Sequence, residues 1–380
     1  MLKTVAVIFS AIFLTVMSCF SVNAEDEEYI DVSAKSAILL CDNNDSVIFE
    51  KNSSEKLSMA STTKIMTTLL ALEYAKKDNK TVTFTQDMIA EGSSMYLKVG
   101  DKVKLSDLAV GMMMVSGNDS ANAVALTLGK TKEKFADMMN AKAEVIGMND
   151  THFVTPSGLD DEQHYSTAKD MAKLMQYAMK NKDFASLTAQ KSMKVNFISP
   201  SDTINMYYNH NKLLSMYEYC NGGKTGFTKK SGRCLVSSAQ KDGVKLIAVT
   251  LNAPDDWNDH IRMYDYGFSK LQRVSGIDED FRFSADVVGG NQSTVELKPS
   301  ESMSYVTENG EELNITRKLI LDRFLYAPLD KGETVGSVQY YSGNKKIEEI
   351  PLVTTSEVVY KQVRKSVWKS IEDFFRNLFR

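Results

Sequence analysis

Little in this 380-residue chain is suited to holding a metal or a disulfide scaffold. Only four histidines occur (His152, His164, His210 and His260), and none is spaced as His-x-x-x-His or His-Glu-x-x-His, so a metallopeptidase is not expected. Cysteine is equally sparse. Cys19 falls in an N-terminal leader, which leaves Cys41, Cys220 and Cys234, an odd number without zinc-ligand spacing. Cys220 and Cys234 flank one strand and its neighbour, which allows a cross-strand contact, though buried free thiols are the plainer reading. No Cys-His protease motif accompanies them. With a net charge of −4, no nucleic-acid partner is expected.

Three short strings stand out instead, in a fixed order: Ser61-Thr62-Thr63-Lys64, Ser116-Gly117-Asn118 and Lys224-Thr225-Gly226. They supply a hydroxyl nucleophile, an amine base, a proton relay and an anion clamp, the parts that acyl transfer through a serine ester needs without any cofactor. Ser-x-x-Lys alone is weak evidence, because the spacing recurs at Ser53/Lys56, Ser166/Lys169, Ser238/Lys241, Ser342/Lys345 and Ser366/Lys369. Ser61 differs in context. Ile65, Met66, Leu69, Leu70, Leu72 and Tyr74 follow it in a run free of Gly and Pro, which predicts a buried helix opening near the serine. Residues three apart share a helix face, so Lys64 can reach Ser61, and the helix N-terminus favours negative charge on the serine oxygen. The alternative is that Ser61 merely caps that helix.

Lys64 must be uncharged to accept a proton, whereas a free lysine titrates near ~10.4. Burial and a second cation both lower that value, and Lys224 is the candidate cation. It sits in Asn221-Gly222-Gly223-Lys224-Thr225-Gly226-Phe227-Thr228, where glycines let a strand edge approach a ligand. Lys224 and the Thr225 hydroxyl are then expected to hold a carboxylate, although Lys-Thr-Gly by itself is an ordinary turn or strand end. Ser116-Gly117-Asn118 follows the apolar residues 110–115 and precedes an Ala-rich helix, so it reads as a tight connector between helices. There Ser116 is placed to pass protons and Asn118 to bond a substrate amide. A plain turn capped by Asp119 or Ser120 accounts for the backbone equally well.

The ordered triple resembles the signature of the penicillin-binding protein and serine β-lactamase superfamily, and Ser-Gly-Asn is the middle variant of its low-molecular-mass D-alanyl-D-alanine carboxypeptidases. Met59-Ala60, Thr155-Pro156-Ser157-Gly158-Leu159, His164-Tyr165-Ser166-Thr167-Ala168, Asn211-Lys212-Leu213-Leu214 and Ser231-Gly232-Arg233-Cys234-Leu235 are similar to that branch too. The likeness spans about residues 27–275 and continues more weakly beyond. It implies Ser61 as acylated nucleophile, Lys64 as its base, and Ser116 with Asn118 completing relay and substrate contact. Lys224 and Thr225 would bind the terminal carboxylate of a peptidoglycan stem peptide. The backbone N–H groups of Ser61 and Phe227, beside Gly226, would form the oxyanion hole.

The resemblance also implies β-lactams as covalent inhibitors and no cofactor. Some members add an arginine after the third string, and Arg262 is the nearest candidate, in a shifted register. Residues 149–170 offer Asp160, Asp161 and Glu162 but no Glu-x-x-Leu-Asn string, so efficient β-lactamase action is not expected. The expected activity is that of a serine D-Ala-D-Ala carboxypeptidase. A D,D-endopeptidase, a weak β-lactamase and a penicillin-binding sensor without turnover are the alternatives.

Patterning divides the chain into four parts. Lys3, the apolar residues 5–16 and the small-residue site at Val22-Asn23-Ala24 predict a secretory leader over 1–24, with Cys19 only a poor match to a lipoprotein box. Residues 25–275 carry the three strings. Hairpins at 37–51 and 234–251 around a mostly helical stretch at 87–189 predict an α+β domain, an antiparallel sheet with a helical subdomain and the site at their junction. Residues 276–355 turn to short alternating runs, a small β-rich domain with no evident chemistry. In 356–380, Val359, Val363, Val367, Ile371, Phe374, Phe375 and Leu378 oppose a basic face, the pattern of an amphipathic helix lying on an anionic membrane surface. The working place is then extracytoplasmic, at the outer face of the cytoplasmic membrane.

Overall fold

The computed structural model describes residues 30–361 and 366–379, so the expected leader lies outside the described residues. Strands β1 (Ser36–Cys41) and β2 (Val47–Lys51) form the first hairpin. A 3-10 turn, Ala60–Thr63, runs directly into α1 (Lys64–Ala75), whose first nine residues are all buried. Two short paired strands, β3 (Thr81–Thr83) and β4 (Lys102–Lys104), precede α2 (Leu105–Met114) and α3 (Asn118–Gly129), which are separated only by residues 115–117. The helical part ends with α4 (Lys132–Ile146), α5 (Ala168–Met179) and α6 (Lys182–Thr188). Side chains of Thr131, Thr167 and Asn181 cap these three by accepting N–H bonds from their first turns.

A hairpin of β5 (Ser192–Asn196) and β6 (Ile204–Tyr208) leads through the single turn α7 (Leu213–Met216) into the meander β7 (Cys220–Thr228), β8 (Gly232–Lys241) and β9 (Val244–Leu251). Helix α8 (Asp256–Lys270) follows. The main sheet runs β2-β1-β9-β8-β7, antiparallel throughout, with β7 as an edge strand. Alternation along β9 explains its burial on both faces. Ile247 and Val249 join the core shared with α1 and α2, while Leu246 and Ala248 join Met263 and Tyr264 of α8. The sheet is thus sandwiched between helices, and β7 meets the N-terminus of α1 at one end.

The remaining strands are β10 (Leu271–Ile277), β11 (Phe283–Val288), β12 (Thr294–Pro299), β13 (Met303–Glu308), β14 (Ile315–Leu321), β15 (Leu325–Tyr326), β16 (Thr334–Ser342) and β17 (Lys345–Thr354). Six of them form the sheet β14-β16-β17-β12-β11-β15, and β10 pairs with β13. β10 runs across the boundary expected at 276, with Leu271 packed in the core beside α8 and the rest of the strand exposed or half-exposed. Helix α9 (Ser366–Leu378) closes the described chain, and Ile371, Phe374, Phe375 and Leu378 are exposed on it. Val359 is not part of that helix. It exchanges hydrogen bonds with Asn291, next to Val358, which bridges to Leu329 in the β-rich part. The thiols of Cys41, Cys220 and Cys234 are free and buried, with no cross-strand pair.

Candidate active site

The nucleophile candidate sits where three segments converge. Ser61 lies in the 3-10 turn, preceded by Ala60 at φ 46, a left-handed conformation that an alanine adopts only when its surroundings enforce it. On one side the loop 155–158 presses in. A Cβ at Gly158 would stand 1.9 Å from the Ala60 carbonyl oxygen. On the other side β7 presses in, and a Cβ at Gly226 would lie 3.0 Å from the backbone nitrogens of Ser61 and Thr62. Glycine at both positions therefore allows the turn to be gripped from two sides.

Ser61 does not act as a helix cap. Its hydroxyl is 2.8 Å from Lys64 Nζ, and no side-chain cap bond forms at either the turn or α1. Lys64 is fully buried and donates to two further acceptors, Asn118 Oδ1 at 2.7 Å and the Ser157 carbonyl at 2.6 Å. Asn118 is held in that orientation because its Nδ2 donates to the Glu91 carbonyl at 2.7 Å. Burial pushes Lys64 well below the ordinary lysine value, and the nearby Lys224 ammonium pushes it further against a weaker pull from Asp119. A neutral amine has two hydrogens and one lone pair. With the hydrogens directed to Asn118 and Ser157, the lone pair faces the Ser61 hydroxyl.

The Ser116-Gly117-Asn118 string forms the connector between α2 and α3, with Ser116 at φ 57. Neither Asp119 nor Ser120 caps α3; Gly117 occupies the cap position. Asp119 is spent elsewhere. Its buried carboxylate accepts from Met95 N at 2.9 Å, Leu97 N at 3.2 Å and Ser94 Oγ at 2.7 Å, which pins the loop 93–97 beside the site. Lys224 lies mid-strand in β7, its Nζ donating to the Thr225 carbonyl at 2.8 Å, and burial pushes it down to about 7.

A cavity of about 330 Å³ opens at Ser61, lined by Ser61, Ser93, Ser116, His210, Lys212, Thr225, Gly226, Phe227, Arg233, Asp256 and Trp257, whereas the buried Lys64, Asn118 and Lys224 are not part of its lining. A larger cleft of about 490 Å³, between residues 43–46 and strands β10 and β13, contains none of the three strings. Arg262 is not at the site. It pairs with Asp259 and donates to the Asp31 carbonyl at 3.1 Å, because α8 turns that face toward the N-terminal segment. The arginine in the cavity wall is Arg233, missed as a site residue by the sequence reading. Strand pairing sets it opposite Phe227, and Nε bonds Asp256 Oδ1 at 3.0 Å while the guanidinium lies 5.5 Å from the Trp257 ring centre.

His164 was also missed as a site residue. Its Nδ1 accepts from Val154 N at 3.0 Å and Thr155 N at 3.3 Å, so Nε2 carries the proton and donates to Thr63 Oγ1 at 2.8 Å. Burial lowers it to about 4, consistent with a neutral ring.

The profile of the D-alanyl-D-alanine carboxypeptidase family matches residues 21–255. The chain belongs to that family. A second profile, the C-terminal domain of penicillin-binding protein 5, matches residues 277–360, the β-rich part of this carboxypeptidase-family chain. D-alanyl-D-alanine carboxypeptidase DacF of Bacillus subtilis is 31% identical over 337 residues, covering 86% of both chains. DacC of Escherichia coli is 32% identical over 367 residues, 92% of this chain and 90% of the relative. Among solved structures, the carboxypeptidase DacD of Francisella tularensis matches with a TM-score of 0.62 at 25% identity, over 90% of this chain and all of its own. Penicillin-binding protein 5 of Haemophilus influenzae matches with a TM-score of 0.63 at 25% identity, over 87% and 99%. The α+β architecture is that of this family.

Proposed function

We propose that this protein is a serine D-Ala-D-Ala carboxypeptidase that removes the terminal D-Ala from peptidoglycan stem peptides, with Ser61 as nucleophile. The observation that carries the reading is the 2.8 Å contact of Ser61 Oγ with a buried Lys64 whose other two partners are fixed acceptors. Neutral Lys64 takes the hydroxyl proton as Ser61 attacks the penultimate D-Ala carbonyl. The developing oxyanion is received by the backbone N–H groups of Ser61 and Phe227, which the close approach at Gly226 brings together. The C–N bond breaks, and Ser116 passes the proton from Lys64 to the departing D-Ala amine. Water then hydrolyses the Ser61 ester.

The substrate's terminal carboxylate is held by the Thr225 hydroxyl and the Lys224 charge, with Arg233 in the cavity wall. A β-lactam enters the same way and leaves a slowly hydrolysed acyl group. Asp160 is engaged with Thr228 Oγ1 at 2.8 Å rather than free to activate water. Action on peptidoglycan places the enzyme outside the cytoplasm. Among the described residues no helix is long and apolar enough to cross a membrane. The exposed Phe374, Phe375 and Leu378 of α9 support a helix resting in the surface of an anionic bilayer, with the β-rich part as spacer.

Release of D-Ala from a diacylated D-Ala-D-Ala peptide tests the reading. Turnover is expected in the wild type and absent in Ser61→Ala, together with labelling of the wild type alone by fluorescent penicillin. Stable labelling without any D-Ala release would instead identify a sensor.

A further inference from the structure

We propose that the outward face of the β5–β6 hairpin, together with Tyr96, seats the part of a peptidoglycan strand upstream of the scissile bond. The inference rests on the carboxypeptidase reading of the Ser61 site and names what else of the substrate the enzyme holds. A cavity of about 330 Å³ is at the small end for a ligand site and takes little beyond the terminal dipeptide. The rest of the stem and its sugars must lie on the surface outside.

One wall of that cavity contains Ser93, His210 and Lys212. The chain leads from this wall to exposed apolar side chains in two directions. Just before His210, β6 alternates. Tyr207 is buried against the helical part, whereas Ile204, Met206 and Tyr208 are 56%, 51% and 68% exposed. A two-stranded ribbon that packs one face on a core ordinarily presents polar residues on the other. Here the solvent face is apolar along one strand, and the opposite positions on β5 are Asn196, Lys194 and Ser192.

Just after Ser93 comes Tyr96, 82% exposed and at φ 62. A bulky residue in the left-handed region is strained, so something must enforce it. Asp119 does so by binding the amides on both sides, Met95 and Leu97, while Ser94 Oγ accepts from Tyr96 N at 2.8 Å. The two segments are tied together where Tyr207 Oη donates to the Met95 carbonyl at 3.0 Å. Tyr96 thus follows the lining residue Ser93 by three positions, and Tyr208 precedes the lining residue His210 by two, so both apolar segments start at the cavity wall. Tyrosine rings and aliphatic side chains suit sugar faces and methyl groups, and Lys194, opposite Met206, and Lys212, in the cavity lining, suit the carboxylates of a stem peptide.

Two variants test this apolar shelf: Tyr96→Gly, which also relieves the left-handed strain, and the triple Ile204→Thr, Met206→Ser, Tyr208→Ser. D-Ala release is compared on a short diacylated tripeptide and on uncross-linked glycan strands carrying pentapeptide stems. The expected kcat/KM on the tripeptide stays within about two-fold of wild type, while on the strands it falls about five-fold or more, mainly through KM. Equal losses on both substrates, or none on the strands, would overturn the proposal. So would a wild-type dimer in sedimentation that the triple variant dissolves, since the face would then belong to a second copy. Co-sedimentation of Ser61→Ala with the strands gives a readout independent of turnover. Binding that the triple variant weakens supports the shelf even if the carboxypeptidase reading fails, and binding it leaves unchanged refutes the shelf.

Discussion

The Nε2 of His164 stands 2.8 Å from the hydroxyl of Thr63, two residues after the nucleophile. On its other edge the same ring accepts from Val154 N and Thr155 N, the start of the loop whose Ser157 carbonyl holds Lys64. His164 thus fastens the loop that directs the base to the turn that carries the nucleophile. Replacing it with Leu strands the Val154 and Thr155 amides on one side and takes the donor from the Thr63 hydroxyl on the other, and is expected to cost about 1–3 kcal/mol of stability. His164→Asn keeps one acceptor and should lose less. In both, acylation by penicillin should slow about ten-fold or more with little change in affinity for the peptide, because the defect is in aiming Lys64 rather than in binding. Stopped-flow acylation together with thermal melts checks this, and an unchanged acylation rate in His164→Leu would refute it.

Acid should loosen the fold through the same ring and through His260. Burial lowers His164 to about 4 and His260 to about 3. The unfolded rings titrate near ~6.5, so below that the unfolded state binds more protons than the folded one. Stability is therefore complete above about pH 6.5 and is lost as pH falls toward about 4, by about 3 kcal/mol for His164 alone. His260 adds to the loss with the same sign, since burial disfavours its charged form where the ring sits between Ser237 Oγ at 2.6 Å and Thr250 Oγ1 at 3.1 Å. Melting temperatures measured between about pH 7 and 4 should fall less steeply in His164→Asn than in wild type.

Two buried lysines with different tasks predict a bell-shaped pH dependence of kcat/KM. Lys64 must lose its proton to act, so activity climbs as pH rises through its depressed value. Lys224 must keep its proton to attract a carboxylate, and it titrates at about 7, so binding weakens above that pH. A substrate whose terminal carboxylate is amidated should lack the falling limb, as should Lys224→Ala acting on the normal peptide. A falling limb that survives in Lys224→Ala would assign it to another group.

The three strings and the α+β frame were legible because their signals are local. Apolar residues after Lys64 with no breaker spell a buried helix, and Lys241-Asp242-Gly243 spells the β8–β9 turn, with Asp242 and Gly243 both at positive φ. What the sequence did not disclose depends on long-range packing. Arg233 reaches the cavity only because β8 folds back on β7, and His164 contacts Thr63 from 101 residues away. Arg262 misled for the complementary reason. A basic residue after the third string reads alike whether its helix turns it toward the cavity or, as here, toward Asp31 and Asp259.

Gly226→Ala should separate catalysis from folding. The added Cβ would stand 3.0 Å from Met59 O, Ser61 N and Thr62 N, all backbone atoms of the turn that presents the nucleophile. Backbone yields less readily than a flexible side chain, so the turn and β7 must move apart by a few tenths of an ångström. The oxyanion donors of Ser61 and Phe227 then separate, and loss of one such donor costs about 10²–10³ in rate. A melting temperature near that of wild type with acylation reduced about 100-fold is the expected outcome. Near-normal acylation would show that the turn absorbs the methyl group without cost.

Arg233→Ala should raise KM about ten-fold for a peptide with a free C-terminal carboxylate while leaving kcat within about two-fold. The guanidinium is held in the cavity wall by Asp256, which accepts from Nε at 3.0 Å, and lies 5.5 Å from the Trp257 ring centre. Asp256→Asn should therefore show the same trend more weakly, because it removes the charge that orients the arginine but not the arginine itself. Arg262→Ala should leave both constants unchanged, since its partners lie at Asp31 and Asp259 rather than in the cavity. Steady-state kinetics on the free acid and its C-terminal amide separate the two arginines. An amide whose KM rises as steeply as that of the acid would place Arg233 on another part of the substrate.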